Sequence, residues 1–193
     1  LQRNSGCMEA MFHLRDYSYE HLTELTLDGL LTRLTESTWV RKGAVLNAED
    51  RITALRAQIP PRLVLSHDIA WWVHSGLGRA PSPLTFITYP RRRYVDGADV
   101  VVHELTIAAH EWELINDLPI TTPDRTLYDL LLPHLRSPDE WSAQTVRNLV
   151  DELPGQARQQ FRLYMAEMSR RPYVAHMRTV FERACAASDR DRR

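Results

Sequence analysis

Leu118-Pro119-Ile120-Thr121-Thr122-Pro123-Asp124-Arg125-Thr126-Leu127-Tyr128-Asp129-Leu130 marks the place where a strand-forming sequence turns into a helix-forming one. Residues 118–121 read as a short strand. Thr122 then offers a side-chain oxygen to the open amides of a following helix. Pro123 suits the first helical position, where its missing N–H costs nothing, and Asp124 lies in the positive first turn. Arg125 and Asp129 form an i,i+4 pair on one face, while Leu127, Leu130 and Leu131 occupy another and are expected to dock on a core.

Upstream of this junction the sequence alternates between strand and helix patterns. Residues 112–115 pair naturally with 118–121 through the tight connection Asn116-Asp117. Residues 84–89 and 100–107 are rich in β-branched and aromatic side chains and flank a charged turn at 90–97. Leu63-Val64-Leu65 reads as a buried strand and Ser66 as the cap of a helix carrying Ile69, Ala70, Trp72 and Val73. The run Gly76, Gly78, Pro81, Pro83 marks a loop. Of the adjacent Trp71 and Trp72, only one is able to face inward. Downstream, residues 123–132, 140–153, 156–168 and 173–186 read as helices, with a charged, frayed end from Ser188 to Arg193.

Nearer the start, Ser18 caps a helix with Tyr19, Leu22 and Leu25 on one stripe, ended by Asp28-Gly29. Leu30, Leu31 and Leu34 lead to the polar tip Thr35-Glu36-Ser37, and Thr38-Trp39-Val40 returns as the second arm of a hairpin. Residues 49–59 read as a helix stopped by Pro60-Pro61, the candidate boundary. The expected fold is therefore α+β. It comprises an N-terminal extension at 1–17, a partial, degenerate winged-helix element at 18–60, and a mixed sheet-and-helix domain with a helical C-terminus at 61–193.

Composition excludes several classes. With 44% hydrophobic and 25% charged residues and no long apolar run, the 193-residue chain is expected to be a soluble protein of a reducing cytoplasm, without membrane association. Its first residues lack the apolar stretch of a secretory signal. Cys7 and Cys185 stand near opposite ends, which suits neither a disulfide framework nor a metal set. The 24 Lys and Arg residues against 25 Asp and Glu remove any overall basic field, so nucleic-acid binding needs a local patch. Lys42 is the sole lysine.

The opening stretch resembles the LPVTTPARTLLDL element of AbiEi-family antitoxins, the regulatory halves of type IV toxin–antitoxin pairs that act in abortive phage infection. Val64-Leu65-Ser66-His67-Asp68-Ile69-Ala70 through His74-Ser75-Gly76-Leu77 is similar to the family's VLSHxSAAxLHGL helix, and Ile87-Thr88-Tyr89-Pro90-Arg91-Arg92-Arg93 to its VTVPRRR strand and turn. A weaker similarity joins 25–40 to the recognition helix and wing of the DNA-binding part. The resemblance spans roughly residues 18–132. It implies an antitoxin and transcriptional regulator acting through operator DNA and through a nucleotidyltransferase-like toxin or that toxin's nucleic-acid substrate. It implies no catalysis, metal or cofactor.

The departures fall on the DNA-binding part. The first helix presents His21, Thr23, Glu24 and Thr26 instead of arginines, and the 17 residues before Ser18 are short for both leading helices of a complete helix-turn-helix. DNA contact is therefore expected from Arg33, Arg41 and Lys42. Arg91, Arg92 and Arg93, flanked by Tyr89 and Tyr94, form the densest positive cluster. They read either as a contact to a partner or nucleic acid or as a solvated turn.

His67 and His74 lie two helical turns apart but lack the i,i+4 spacing and third ligand of a zinc site, so His67 is expected to cap or hydrogen-bond locally and His74 to pack at the helix end. Neither Ser66 next to His67 nor the distant Lys42 makes a hydrolytic or nuclease constellation. An interaction module that binds no DNA is the alternative, followed by a metal-dependent hydrolase or nuclease. The oligomeric state stays open.

Overall fold

The computed structural model describes residues 11–91, 100–136 and 140–191, the last segment without the side chains of 140–142. It is an α+β protein whose chain divides into two compact units, one ending at Thr121 and the other beginning at Thr122. The double proline Pro60-Pro61 lies inside the first unit.

The first unit opens with a three-stranded antiparallel sheet: β1 (Met11–His13), β2 (Leu31–Arg33) and β3 (Thr38–Arg41), in the order β1-β3-β2. The expected hairpin is β2–β3. Strand β1 carries no strong sequence signal, and it exists because β3 offers it a second edge, pairing Met11 with Val40 and His13 with Thr38. Helix α1 (Tyr19–Leu27) starts at Ser18, whose hydroxyl accepts from the His21 N–H at 3.2 Å. It ends before Gly29, where φ is +74°. Leu22 of this helix packs with Leu31 and Trp39 on one face of the sheet.

The opposite face, through Leu34 and Val40, joins a larger core that continues past the double proline. That core is built on a five-stranded mixed sheet. Its strands are β4 (Leu63–Leu65), β5 (Leu84–Thr88), β6 (Val100–His103), β7 (Trp112–Ile115) and β8 (Leu118–Thr121), in the order β6-β5-β4-β8-β7. Central β4 is antiparallel to β5 and parallel to β8, so both its faces are covered and all three residues are buried. Leu63, Leu65, Phe86 and Ile120 meet α2 (Ala48–Leu55) and α3 (His67–Ser75), while Val64 and Ile87 meet Ile107, Leu105, Tyr89 and Trp112 on the far side.

Two connections differ from the sequence reading. Strands β5 and β6 run parallel, and β6 stops at His103, because residues 104–108 leave the sheet and place Ile107 over its far face. The predicted helix at 49–59 is α2 plus a 3₁₀ turn, Arg56–Gln58. The β7–β8 turn is as expected, with Asn116 and Asp117 both at positive φ. Asn116 is tied to α2 through the Thr53 hydroxyl at 2.8 Å and to the 3₁₀ turn through the Arg56 guanidinium at 2.6 Å.

The second unit is four helices: α4 (Pro123–Arg136), α5 (Glu140–Glu152), α6 (Gly155–Glu167) and α7 (Val174–Asp191). Thr122 caps α4 as expected, accepting from the Arg125 N–H. The expected Arg125–Asp129 pair forms at 2.8 Å and is buried, as are Leu127 and Leu131. Helix α4 also continues through Pro133, because buried Leu135 and the Arg136 guanidinium over the Tyr173 ring anchor its last turn. The core centres on Phe161 and Phe181, packed edge to face at 5.0 Å. The expected fraying from Ser188 does not hold for residues 188–191, which continue α7, while Arg192 and Arg193 lie outside the described residues. Ser188 is buried and accepts from Arg158, whose other donors reach Asp189 and the Val150 carbonyl.

Candidate nucleic-acid interface

The β2–β3 hairpin places Arg33 near its tip and Arg41 and Lys42 at its exit, and the three have different surroundings. Arg33 closes the tip on itself. Its Nη2 donates to the Glu36 carboxylate at 2.8 Å and the Glu36 carbonyl at 2.9 Å, and its Nε to the Thr35 carbonyl at 3.1 Å. The guanidinium also lies over the rings of Trp39 and Tyr19. A second cation, Arg79, holds the other Glu36 oxygen at 2.7 Å. Glu36 therefore does not stand as a free negative charge at the tip, and Arg33 is spent on holding the turn.

Arg41 and Lys42 are exposed, and neither makes an ion pair among the described residues. The Lys42 N–H donates to the Leu30 carbonyl at 2.9 Å, fixing the chain where it leaves the hairpin. The lysine ammonium lies over Gly29, at 3.7 Å from where a β-carbon would stand. On α1 the hydroxyls of Thr23 and Thr26 are turned inward to the carbonyls of Tyr19 and Leu22, each at 2.7 Å. The outward groups of that helix include Tyr19, Glu20, His21, Glu24 and an 82%-exposed Leu27.

Arg91 is exposed just beyond the end of β5, while Arg92, Arg93 and Tyr94 lie outside the described residues. Tyr89 is committed to the far-face cluster, with its ring 5.2 Å from that of Trp112.

The histidines behave differently from one another. His74 donates from Nε2 to the Thr121 carbonyl at 2.8 Å, joining the end of α3 to the end of β8. Burial lowers its pKa, opposed by that hydrogen bond and by Glu113 and reinforced by Arg51. His67, at the left-handed φ of 53°, turns its Nδ1 to the Ser66 hydroxyl at 2.9 Å. Ser66 stands at the helix N-cap position, but its side chain does not cap the amides. The His67 ring stacks on His103 at 4.1 Å, a meeting of β6 with α3 that spacing along the chain did not indicate. Among the described residues, no three His, Cys, Asp or Glu side chains gather as a metal site requires. Trp72 is the inward member of its pair, donating from Nε1 to the Gly78 carbonyl at 3.1 Å.

Sequence reasoning passed over Arg51. It lies on the same stripe of α2 as Ala48, Ile52 and Leu55, so a cation in that register was the available signal. No helix among the described residues is long and apolar enough to cross a membrane. No protein-family model matches the chain, and no curated protein matches it.

Proposed function

We propose that this chain is an AbiEi-type antitoxin and transcriptional regulator of a type IV toxin–antitoxin pair, a cytoplasmic protein that works by binding and without catalysis. The single observation that carries this reading is the order of three sequence resemblances and the joints of the fold they occupy. The first coincides with β4 and α3, the second with β5 and its exit, and the third with β8 and the capped start of α4. A helix followed by an antiparallel hairpin, α1 to β3, stands where the family's recognition helix and wing are expected. Within that element Arg41 and Lys42 are the exposed cations available to phosphate, with Arg91 of the arginine turn as a further contact.

The test is binding of the intact chain to its own upstream duplex across a salt series, against a scrambled duplex. Specific binding that Arg41→Glu with Lys42→Glu abolishes, and that Arg33→Ala weakens less, supports the reading. Equal affinity for both duplexes at low salt overturns it. The engagement of Arg33 with Glu36 favours one second reading, a protein-interaction module that recognises an acidic partner through Arg91, Arg92 and Arg93 and binds no DNA. In that case Arg91→Glu abolishes binding of a nucleotidyltransferase-like toxin and changes nothing with DNA.

A further inference from the structure

Arg51 is 8% exposed, and among the described residues its guanidinium has no carboxylate within ion-pair distance. Its Nε donates to the Val73 carbonyl at 2.8 Å and its Nη1 to the Leu46 carbonyl at 2.5 Å. Among the described residues Nη2 has no acceptor. The neighbouring carboxylate, Asp50, is taken up by the capping box of α2, where it accepts from the Asn47 N–H at 3.0 Å. Burial draws the Arg51 pKa down and the nearby Asp50 charge opposes this; a guanidinium keeps its proton, so a full positive charge stands here with no carboxylate in contact. A charge covered in this way is costly unless something pairs with it.

The guanidinium borders a cleft of about 210 Å³ shared with Thr32, Val40, Arg41, Gly43 and Gly76. Two further features make this a shaped cradle. The plane of Arg51 lies directly on the backbone of Gly76, where a β-carbon would come within 2.5 Å of Nη1 and 2.9 Å of Cζ. Gly76 is also at φ +73°, so a side chain is excluded there twice over. A second cation, Arg41, lines the same cleft. The volume is below the roughly 300 Å³ at which pockets for drug-sized ligands begin, which suits a small group.

We infer that this cleft is a binding site for a phosphate group, held by the free Nη2 of Arg51 and by Arg41. Two anchored donors on carbonyls fix the guanidinium beforehand, so the remaining donors meet a tetrahedral oxyanion without rearrangement. The inference shares Arg41 with the regulator reading but adds Arg51 and the cleft, so loss of operator binding with phosphate binding kept would sink that reading alone.

The experiment is calorimetric titration of the intact chain with inorganic phosphate at constant ionic strength, together with thermal unfolding in the same series. Expected is saturable binding with a rise in Tm, lost in Arg51→Lys and weakened about tenfold in Arg41→Ser, an exposed position whose replacement leaves the unliganded Tm unchanged. Should Arg51→Lys fail to fold, Arg41→Ser and phosphate density against Arg51 in a soaked crystal decide the matter. AMP and a short DNA duplex, each competing with phosphate, identify the source. Displacement by AMP assigns a free phosphomonoester, and displacement by the duplex alone assigns a backbone phosphate. No saturable effect up to the order of tens of millimolar overturns the inference. So does a saturable effect that Arg41→Ser and Arg51→Lys both leave intact.

Discussion

Arg125 and Asp129 are each 2% exposed and meet at 2.8 Å, so removing one partner takes the ion pair away from a buried charge. Asp129→Ala is expected to destabilise the helical unit by about 3–5 kcal/mol, whereas Arg125→Met with Asp129→Leu costs far less. Urea unfolding followed by far-ultraviolet dichroism checks both. His74 carries a pH effect whose sign follows from burial. Its pKa lies below the ordinary 6.5, so the folded state holds the proton less well than the unfolded chain. Its contribution is therefore fully present above about pH 6.5 and falls away as pH drops from there toward the folded value, where it levels off. His74→Gln is expected to flatten the decline of Tm on that acid limb. Part of the slope remains, because burial lowers the His13 pKa in the same direction.

Among the elements, α2 depends most on its start. The Asn47 side chain accepts from the Asp50 N–H at 2.9 Å while Asp50 reaches back to the Asn47 N–H, which satisfies two otherwise open donors. Only eight residues long, this helix cannot persist on intrinsic propensity, and its cap and its apolar stripe hold it together. Asn47→Ala is expected to cost about 1 kcal/mol, read as a fall in Tm with the folded spectrum unchanged. The same helix presents Arg51, so fraying of its first turn would also disturb the phosphate cradle. The β2–β3 hairpin is stabilised differently, through the Glu36 bridge to Arg33 and Arg79. Their side chains are 27–52% exposed, so the worth of these pairs is positional more than energetic.

Over the whole molecule the net charge is −1, and no general basic field draws DNA toward it. If Arg41, Lys42 and Arg91 are the phosphate contacts, counterion release limits the salt dependence. The slope of log K against log salt for one protomer is expected near −2.7, about 0.9 for each phosphate neutralised. A measured slope near zero would remove these cations from the interface. The division at Thr121 and Thr122 separates a sheet-centred unit from a purely helical one.

The sequence by itself determined the local elements: the Ser18 and Thr122 caps, the Asn116-Asp117 turn, the polar hairpin tip and the helical run after Pro123. These are set by side chains within a few residues of the backbone they satisfy, so their signals are contiguous. The β1 strand, the parallel pairing of β5 with β6 and the order of Ser188 were decided by tertiary structure. Each depends on an edge or a partner distant in the chain, as Ser188 depends on Arg158. The candidate site divides in the same way. The exposure of Arg41 and Lys42 follows from their place at the hairpin exit, but the capture of Arg33 by Glu36 and the stacking of His67 on His103 required folded geometry. Arg51 is the sharpest instance, because its meaning rests on carbonyls from Leu46 and Val73 and on the bare backbone of Gly76, which only packing α2 against α3 brings together.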